Sequence, residues 1–355
     1  MYDILKDFRS KNISRKIVDG IKKIASEFER VKICHVCGTH EYTISKYGIR
    51  SLLPKNIEVI EGPGCPVCVT SQRDVEIAIK LALSGKRVVT FGDMARVPGR
   101  EFSLLDAKTK GADIKVVYSF SECIKISNDG KETVFVAVGF ETTMPTIAVE
   151  LERGIPENLY LLTSMKFIPP ALDALLEKNR RIDAIIAPGH VSAIIGAEPY
   201  EPIAKKYNMP VVISGFEPLD VLYSIYLILQ SLKDGVAKVE NEYKRVVRYR
   251  GNEKAKMSIR KWFKIKDAEW RGLGKIKNSG AYIKEKDALR VFDIEVEDVG
   301  EVKGCRCGDI IRAEAYPHEC PLFGKLCTPE RPKGPCMVSL EGACRIEYLF
   351  GGMNG

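Results

Sequence analysis

Gly62-Pro63-Gly64-Cys65-Pro66-Val67-Cys68 decides how the rest of the chain is read. Before it stands Ile57-Glu58-Val59-Ile60, an apolar run of strand length. After it come Thr70-Ser71-Gln72-Arg73-Asp74 and then Val75, Ile77, Ala78, Ile79, Leu81, Ala82 and Leu83, the pattern of a capped helix. Strand, tight turn and helix in that order form the elementary unit of a parallel α/β sheet. Two thiols with two residues between them can close a disulfide on themselves, and the positive end of a helix favours their thiolates. The glycines and prolines suit a turn that lets another group approach the sulfurs closely. Redox or metal chemistry is preferred here over a structural zinc half-site or two inert buried cysteines.

The same unit repeats outward from that turn. Val31–Val36 reads as a strand ending in Cys37-Gly38-Thr39-His40-Glu41, Arg87–Phe91 as one ending in Gly92-Asp93-Met94, and Lys115–Ser119 as a fourth. A second round follows. Val134–Val138 ends in Gly139-Phe140-Glu141-Thr142-Thr143, Asn158–Leu162 in Thr163-Ser164-Met165-Lys166, Asp183–Ala187 in Pro188-Gly189-His190-Val191-Ser192, and Pro210–Ile213 in Ser214-Gly215-Phe216-Glu217. Corresponding strands lie about 101 falling to about 95 residues apart, a weak internal repeat. The expected fold class is α/β: two similar parallel-sheet domains facing a cleft, plus a C-terminal iron–sulfur cluster domain. The expected boundaries are 1–125 (with N-terminal amphipathic helices over residues 1 to 30), 126–235 and 236–355. Ligands of such sheets bind beyond the carboxyl ends of strands. There Cys37, His40, Cys65, Cys68, Asp93, Glu141, Thr142 and His190 are expected to line one cleft.

No apolar run is long enough to cross a membrane, and Met1–Asp7 lacks the basic start and apolar core of a signal peptide, so a soluble cytoplasmic protein is expected. Residues 241–290 carry 16 Lys plus Arg against 6 Asp plus Glu, a local +10 in a chain of net charge +8. No nucleic-acid-binding signature accompanies them, so they read as a solvated or protein-docking face and not as a nucleic-acid site. No Rossmann or P-loop glycine pattern supports nucleotide use.

The eleven cysteines cluster: Cys34, Cys37, Cys65 and Cys68 early, six from Cys305 to Cys344 late, and Cys123, a buried filler, between. In an intracellular chain of 355 residues such clusters read as metal or redox sites. The late segment is rich in proline and glycine and poor in core-forming residues, so a covalent or metal crosslink is expected to hold it. Cys320, Cys327, Cys336 and Cys344 lie 7, 9 and 8 residues apart. Four thiolates without a close Cys-x2–4-Cys pair suit a [4Fe–4S] cluster better than structural zinc. Cys305 and Cys307 compete for ligation or form a second dithiol. Of the early residues, Cys37 at the strand end is preferred over Cys34 within it, and His40 and His190 over His35, which is expected to pack in the sheet. Glu141, Thr142 and Thr143 are placed to cap the helix that follows them.

Taken together, the motifs resemble the HypD family of maturation factors for [NiFe]-hydrogenase. The resemblance rests on Cys37–Glu41, Gly62–Cys68, Gly139–Thr143, Pro188–Ala193, Cys320–Gly324, Cys327–Pro329 and Cys336–Gly342. It implies a redox-active scaffold on which the Fe(CN)2CO group of the hydrogenase is assembled with the chaperone HypC, HypE delivering cyanide. It further implies that Cys37 coordinates that iron and that Cys65 and Cys68 form a redox-active dithiol. The quartet Cys320, Cys327, Cys336 and Cys344 would then hold a [4Fe–4S] cluster, with His40, His190, Glu141 and Glu341 around the cleft. The alternative function is an iron–sulfur thiol–disulfide reductase acting on a protein disulfide; a zinc-stabilised binding module ranks below both.

Overall fold

A computed structural model describes residues 9–351 apart from 295, 297–299 and 301. The strands are β1 (Val31–His35), β2 (Ile57–Glu61), β3 (Arg87–Thr90), β4 (Ile114–Val116), β5 (Thr133–Gly139), β6 (Leu159–Lys166), β7 (Ala184–Pro188), β8 (Val211–Ser214), β9 (Val239–Asn241), β10 (Phe263–Trp270) and β11 (Gly274–Ile283). They form two sheets, ordered β2-β1-β7-β8-β9 and β10-β11-β6-β5-β3-β4. All pairings among β1–β9 are parallel; the β10–β11 hairpin is antiparallel and joins the second sheet against β6. Every residue of β1, β5 and β7 is buried, as helices on both faces of a parallel sheet require.

The repeat is present in the strand order, but its halves are exchanged. Matching β1 with β5, β2 with β6, β3 with β7 and β4 with β8 turns the run β2-β1-β7-β8 of one sheet into β6-β5-β3-β4 of the other. Each sheet thus takes two strands from one repeat and two from the other. The boundaries at 125 and 235 therefore cut through both sheets. The segment from 236 is likewise not separate, because β9 completes the first sheet and β10–β11 extend the second. The physical reason lies in burial: β1, buried on both faces, needs its backbone groups paired on each side, and finds β2 and β7.

Ala288–Ile294 contains the helix Ala288–Phe292, capped by the Asp287 side chain. The N-terminal helix runs over Lys11–Ala25, and residues 1–8 lie outside the described part. Cys123 and His35 are fully buried, as expected.

One apolar core joins the sheets: Cys34, Ile60, Ile185 and Val211 of the first pack with Val88, Val134 and Leu162 of the second. Ile310, Met337, Val338 and Ala343 of the late segment enter the same core, so that segment has apolar anchorage but no core of its own. The chain passes between the sheets after β2, after β6 and after β9. The Gly62–Cys68 turn lies on the first of these passages, so it sits where both sheets and the late segment meet.

Gly64 shows how tightly that passage is packed. A β-carbon there would stand 2.2 Å from the Cys37 nitrogen and 2.6 Å from its α-carbon. Gly64→Ala is expected to lower unfolding free energy by about 2 kcal/mol, since backbone cannot yield as a side chain does. Denaturant titration of the two proteins measures it.

Candidate functional site

Cys37 follows β1 and occupies the N-cap position of the helix Gly38–Lys46. Its sulfur makes no full capping bond, yet the N–H groups of Thr39 and His40 and the Thr39 hydroxyl lie near enough to favour its thiolate. Burial dominates, helped by the Glu341 carboxyl, and pushes the thiol up to about 12. The side chain keeps 8% exposure, a small opening to the outside. Such a thiol stays protonated until a cation displaces the proton.

Other segments close around it. A β-carbon on Gly38 would stand 2.2 Å from the Glu341 carbonyl oxygen, so the late segment lies directly on the helix start. The Thr39 hydroxyl bonds the Glu341 carboxyl, while burial and nearby Asp93 raise its pKa. The Leu340 N–H donates to Asp93 Oδ2 at 3.2 Å. Tyr200, fully buried, carries a hydroxyl that accepts from Ser192 and feels the charges of both Cys37 and Glu141.

Glu141 does not cap the helix after it; that N-cap is Thr143. Its Oε1 accepts instead from the Ile168 N–H at 3.0 Å, at the start of the next helix but one strand, Ile168–Lys178. Its Oε2 is buried with no hydrogen-bond partner, and burial pushes the carboxyl up to about 8.

The histidines divide by environment. His40 Nε2–H donates to the Gly215 carbonyl at 2.9 Å, leaving Nδ1 buried and unpartnered. Burial lowers its pKa to about 3, so it is a neutral imidazole. Phe216 stacks between His40 and the exposed His190, with centroids 4.9 and 4.0 Å away. His35 Nε2–H donates to Glu41 Oε2 at 2.8 Å, and Arg50 holds both oxygens of Glu41 at 2.8 and 2.6 Å. That buried ion pair fixes the first turns of the helix that carries Cys37 and His40.

Cys65 and Cys68 form a disulfide, and the Cys68 N–H donates to Cys65 Sγ at 3.1 Å. A cavity of about 10 Å³, room for about one water, lies against it, lined among others by Glu61, Cys65, Cys68 and Cys336. The six late thiols converge on the far side. Cys305 Sγ lies 3.3 Å from Cys307 Sγ, and Cys307 also reaches Cys336 and Cys344. Cys327 feels Cys305 and Cys320, and its sulfur accepts the Lys333 N–H at 3.3 Å. No three His, Cys, Asp or Glu among the described residues stand in formed metal-binding geometry.

Among these residues Cys37 lies beside Glu341 and Glu341 near Asp93, Tyr200 feels both Cys37 and Glu141, and His40 and His190 flank Phe216. Thr142 sits in the turn after β5 with a half-buried side chain. Sequence reasoning missed Thr39, Tyr200, Phe216 and Glu61. Only Glu61 left a signal: a carboxylate continuing an apolar strand that is buried almost throughout.

Comparison with known proteins gives the family of this chain. The family model described as "HypD: Hydrogenase formation hypA family" matches residues 12–351. The chain belongs to the HypD family. It is 47% identical over 347 residues to a hydrogenase expression/formation protein of Methanocaldococcus jannaschii, covering 95% of this chain and 96% of that one. It is 39% identical over 361 residues to the hydrogenase maturation factor HypD of Escherichia coli, covering 97% of each. The factor of the same name from Cupriavidus necator is 39% identical over 366 residues, covering 98% and 97%. No helix among the described residues of this HypD-family chain is long and apolar enough to cross a membrane.

Glu141 yields a pH test. A carboxyl whose folded pKa is raised contributes stability that is fully present below its unfolded value and lost as pH rises through the folded one. Relative to Glu141→Gln, the wild type is expected to lose stability between about pH 5 and pH 8, by up to about 1.4 kcal/mol per pH unit. Parallel urea titrations across that range check both the sign and the window.

Proposed function

We infer that this protein is a scaffold in [NiFe]-hydrogenase maturation that holds iron at Cys37 while the Fe(CN)2CO group is assembled. Its partners are a HypC-type chaperone, which brings a second cysteine to the iron, and a HypE-type cyanide donor, in the cytoplasm. One observation carries this reading: β1, the Gly62–Cys68 turn and the segment around Glu341 converge on one nearly buried thiol at a helix N-terminus.

Each neighbour has a role toward that substrate iron. Cys37 supplies a soft thiolate, a ligand type suited to low-spin ferrous iron with strong-field diatomic ligands. The helix N–H groups of Thr39 and His40 meet the negative charge that accumulates as cyanide adds. Neutral His40 offers an unprotonated Nδ1 as an acceptor, and His190 lies on the exposed side of Phe216. The carboxyls of Glu141 and Glu341, both held up by burial, can give protons where anions arrive.

The late thiols fit a [4Fe–4S] cluster by donor type and by the backbone N–H groups aimed at Cys327. Their contacts favour Cys305 over Cys336 as a ligand. Cys305, Cys320 and Cys344 each interact with Cys327, whereas Cys336 touches Cys307 and Cys344 and lines the cavity beside the disulfide. The cluster would supply single electrons. Cys307 and Cys336 remain as a dithiol next to Cys65–Cys68, where thiol–disulfide exchange can pass an electron pair from one cysteine pair to the other.

Infrared spectra of the protein, purified anaerobically with its HypC-type partner, should show cyanide and metal-carbonyl bands that Cys37→Ala abolishes while iron and labile sulfide stay. Bands that survive the substitution would refute the assignment of Cys37. In a second test, Cys305→Ser should lose labile sulfide, whereas Cys336→Ser should keep it and leave Cys65–Cys68 closed under reducing conditions. The reverse pattern would restore Cys336 to the cluster.

A further inference from the structure

The strand end Thr163-Ser164-Met165-Lys166 has no part in the Cys37 site. Strand alternation puts Ser164 and Lys166 on one face of β6. Both are buried, and they line a cavity of about 410 Å³ walled by the start of the helix Gln72–Leu83 and by the β10–β11 hairpin. A void of that size suits a small molecule. Lys166 Nζ donates to Ser164 Oγ at 3.0 Å, and Ser164 Oγ donates to Asp74 Oδ2 at 2.7 Å. The ammonium itself stays 3.9 Å from that oxygen, so its contact with Asp74 is an ion pair without a hydrogen bond. An ammonium has three N–H donors, and the bond to Ser164 is the only one Lys166 makes among the described residues.

We propose that this cavity is a binding site for a small molecule bearing one carboxylate, whose oxygens take the unused donors of Lys166 and the guanidinium of Arg73. Arg73 stands in the cavity wall with an exposed side chain and makes no ion pair among the described residues. An ammonium and a guanidinium together can hold both oxygens of a carboxylate. The lining carries three carboxylates of its own, Asp74, Asp267 and Glu269, against three cations, Arg73, Lys166 and Lys275. Repulsion from those carboxylates disfavours a dianion such as phosphate, so the anion that fits carries a single charge.

The surroundings of the lysine explain why an anion is favoured there. Burial lowers the pKa of Lys166, Asp74 and Glu269 oppose that, and Arg271 adds to it. Its Nζ also stands 5.9 Å from the centre of the Trp270 ring, whose π face favours the cation. A buried ammonium with unused donors gains most from a ligand that supplies both charge and acceptors. A purely structural ion pair would close over the lysine, whereas here a cavity stays open against it. Cys37, His40, Asp93, Glu141, His190 and Glu341 do not line this cavity, so the two sites are separate.

The probe is acetate, followed by saturation-transfer NMR of its methyl signal with the full-length protein at constant ionic strength. In the wild type the signal should saturate with a Kd on the order of 1 mM, as befits so small a ligand. Arg73→Ala should weaken binding about tenfold and Lys166→Met about 30-fold, the worth of lost hydrogen bonds to charged groups. Equimolar inorganic phosphate should leave the acetate signal in place, and Cys37→Ala should bind acetate as the wild type does. A urea midpoint close to that of the wild type shows that each variant is folded. If Lys166→Met is not, Arg73→Ala, altered only at the exposed wall, decides the case. Acetate binding unchanged in either folded variant would overturn the proposal. So would displacement by phosphate, loss of binding in Cys37→Ala, or the lack of a saturable signal in the wild type.

Discussion

Close backbone approach at Cys37 is the constraint on which the rest of the structure depends. Gly64 lies against the Cys37 backbone and Gly38 against Glu341, each too near for a β-carbon. These two contacts tie the disulfide turn and the late segment to a single thiol. They also bring the two sheets and the cysteine-rich segment into one apolar core. A side chain at either glycine would push these segments apart.

Charge is distributed around that point in two different ways. Glu41 is held by Arg50 and His35, and its pKa falls below the usual carboxylate range even though burial opposes this. It is a structural anion. Glu61 and Glu141 are buried and Glu341 keeps an exposed part; none of the three has an ion pair among the described residues, and desolvation raises all three. Replacing ion pairs by unpaired carboxyls sacrifices stability and leaves groups that hold their protons above the usual carboxylate range. Of the unpaired carboxyls, Glu61 lines the cavity beside the disulfide and Glu341 acts on the Cys37 thiol.

Much of this was legible in the sequence, for identifiable reasons. Apolar runs ending in Gly, Cys or His located the strands and placed Cys37, Glu141 and His190 at carboxyl ends, because a parallel sheet buries its strands on both faces. The repeat predicted two similar sets of strands, and the two sheets do share one pattern of strand order. Strand partners were not legible: nothing in β1 states that β7 lies beside it, since apolar strands pair interchangeably until tertiary packing selects. Glu61 was passed over because the apolar run was ended at Ile60. Tyr200 and Phe216 carried no signal, as an aromatic residue in a turn reads like any core residue. Glu141 was misread because its carboxyl reaches across to Ile168, a distance in sequence that no local capping pattern encodes.

The exchange of strand pairs has a consequence for synthesis on the ribosome. β1 and β2 emerge early, but β7 and β8, which complete their sheet, follow only after the four strands β3–β6 have been made. In that interval one flank of β1, an apolar edge with unpaired N–H and C=O groups, is open to any other strand nearby. The second sheet can assemble β3–β6 meanwhile, so it is the natural first folding unit, and the first sheet closes around it late. A chain built this way has many distant contacts and folds slowly. It is therefore exposed to misassembly on the ribosome for longer than two lobes folding one after the other would be.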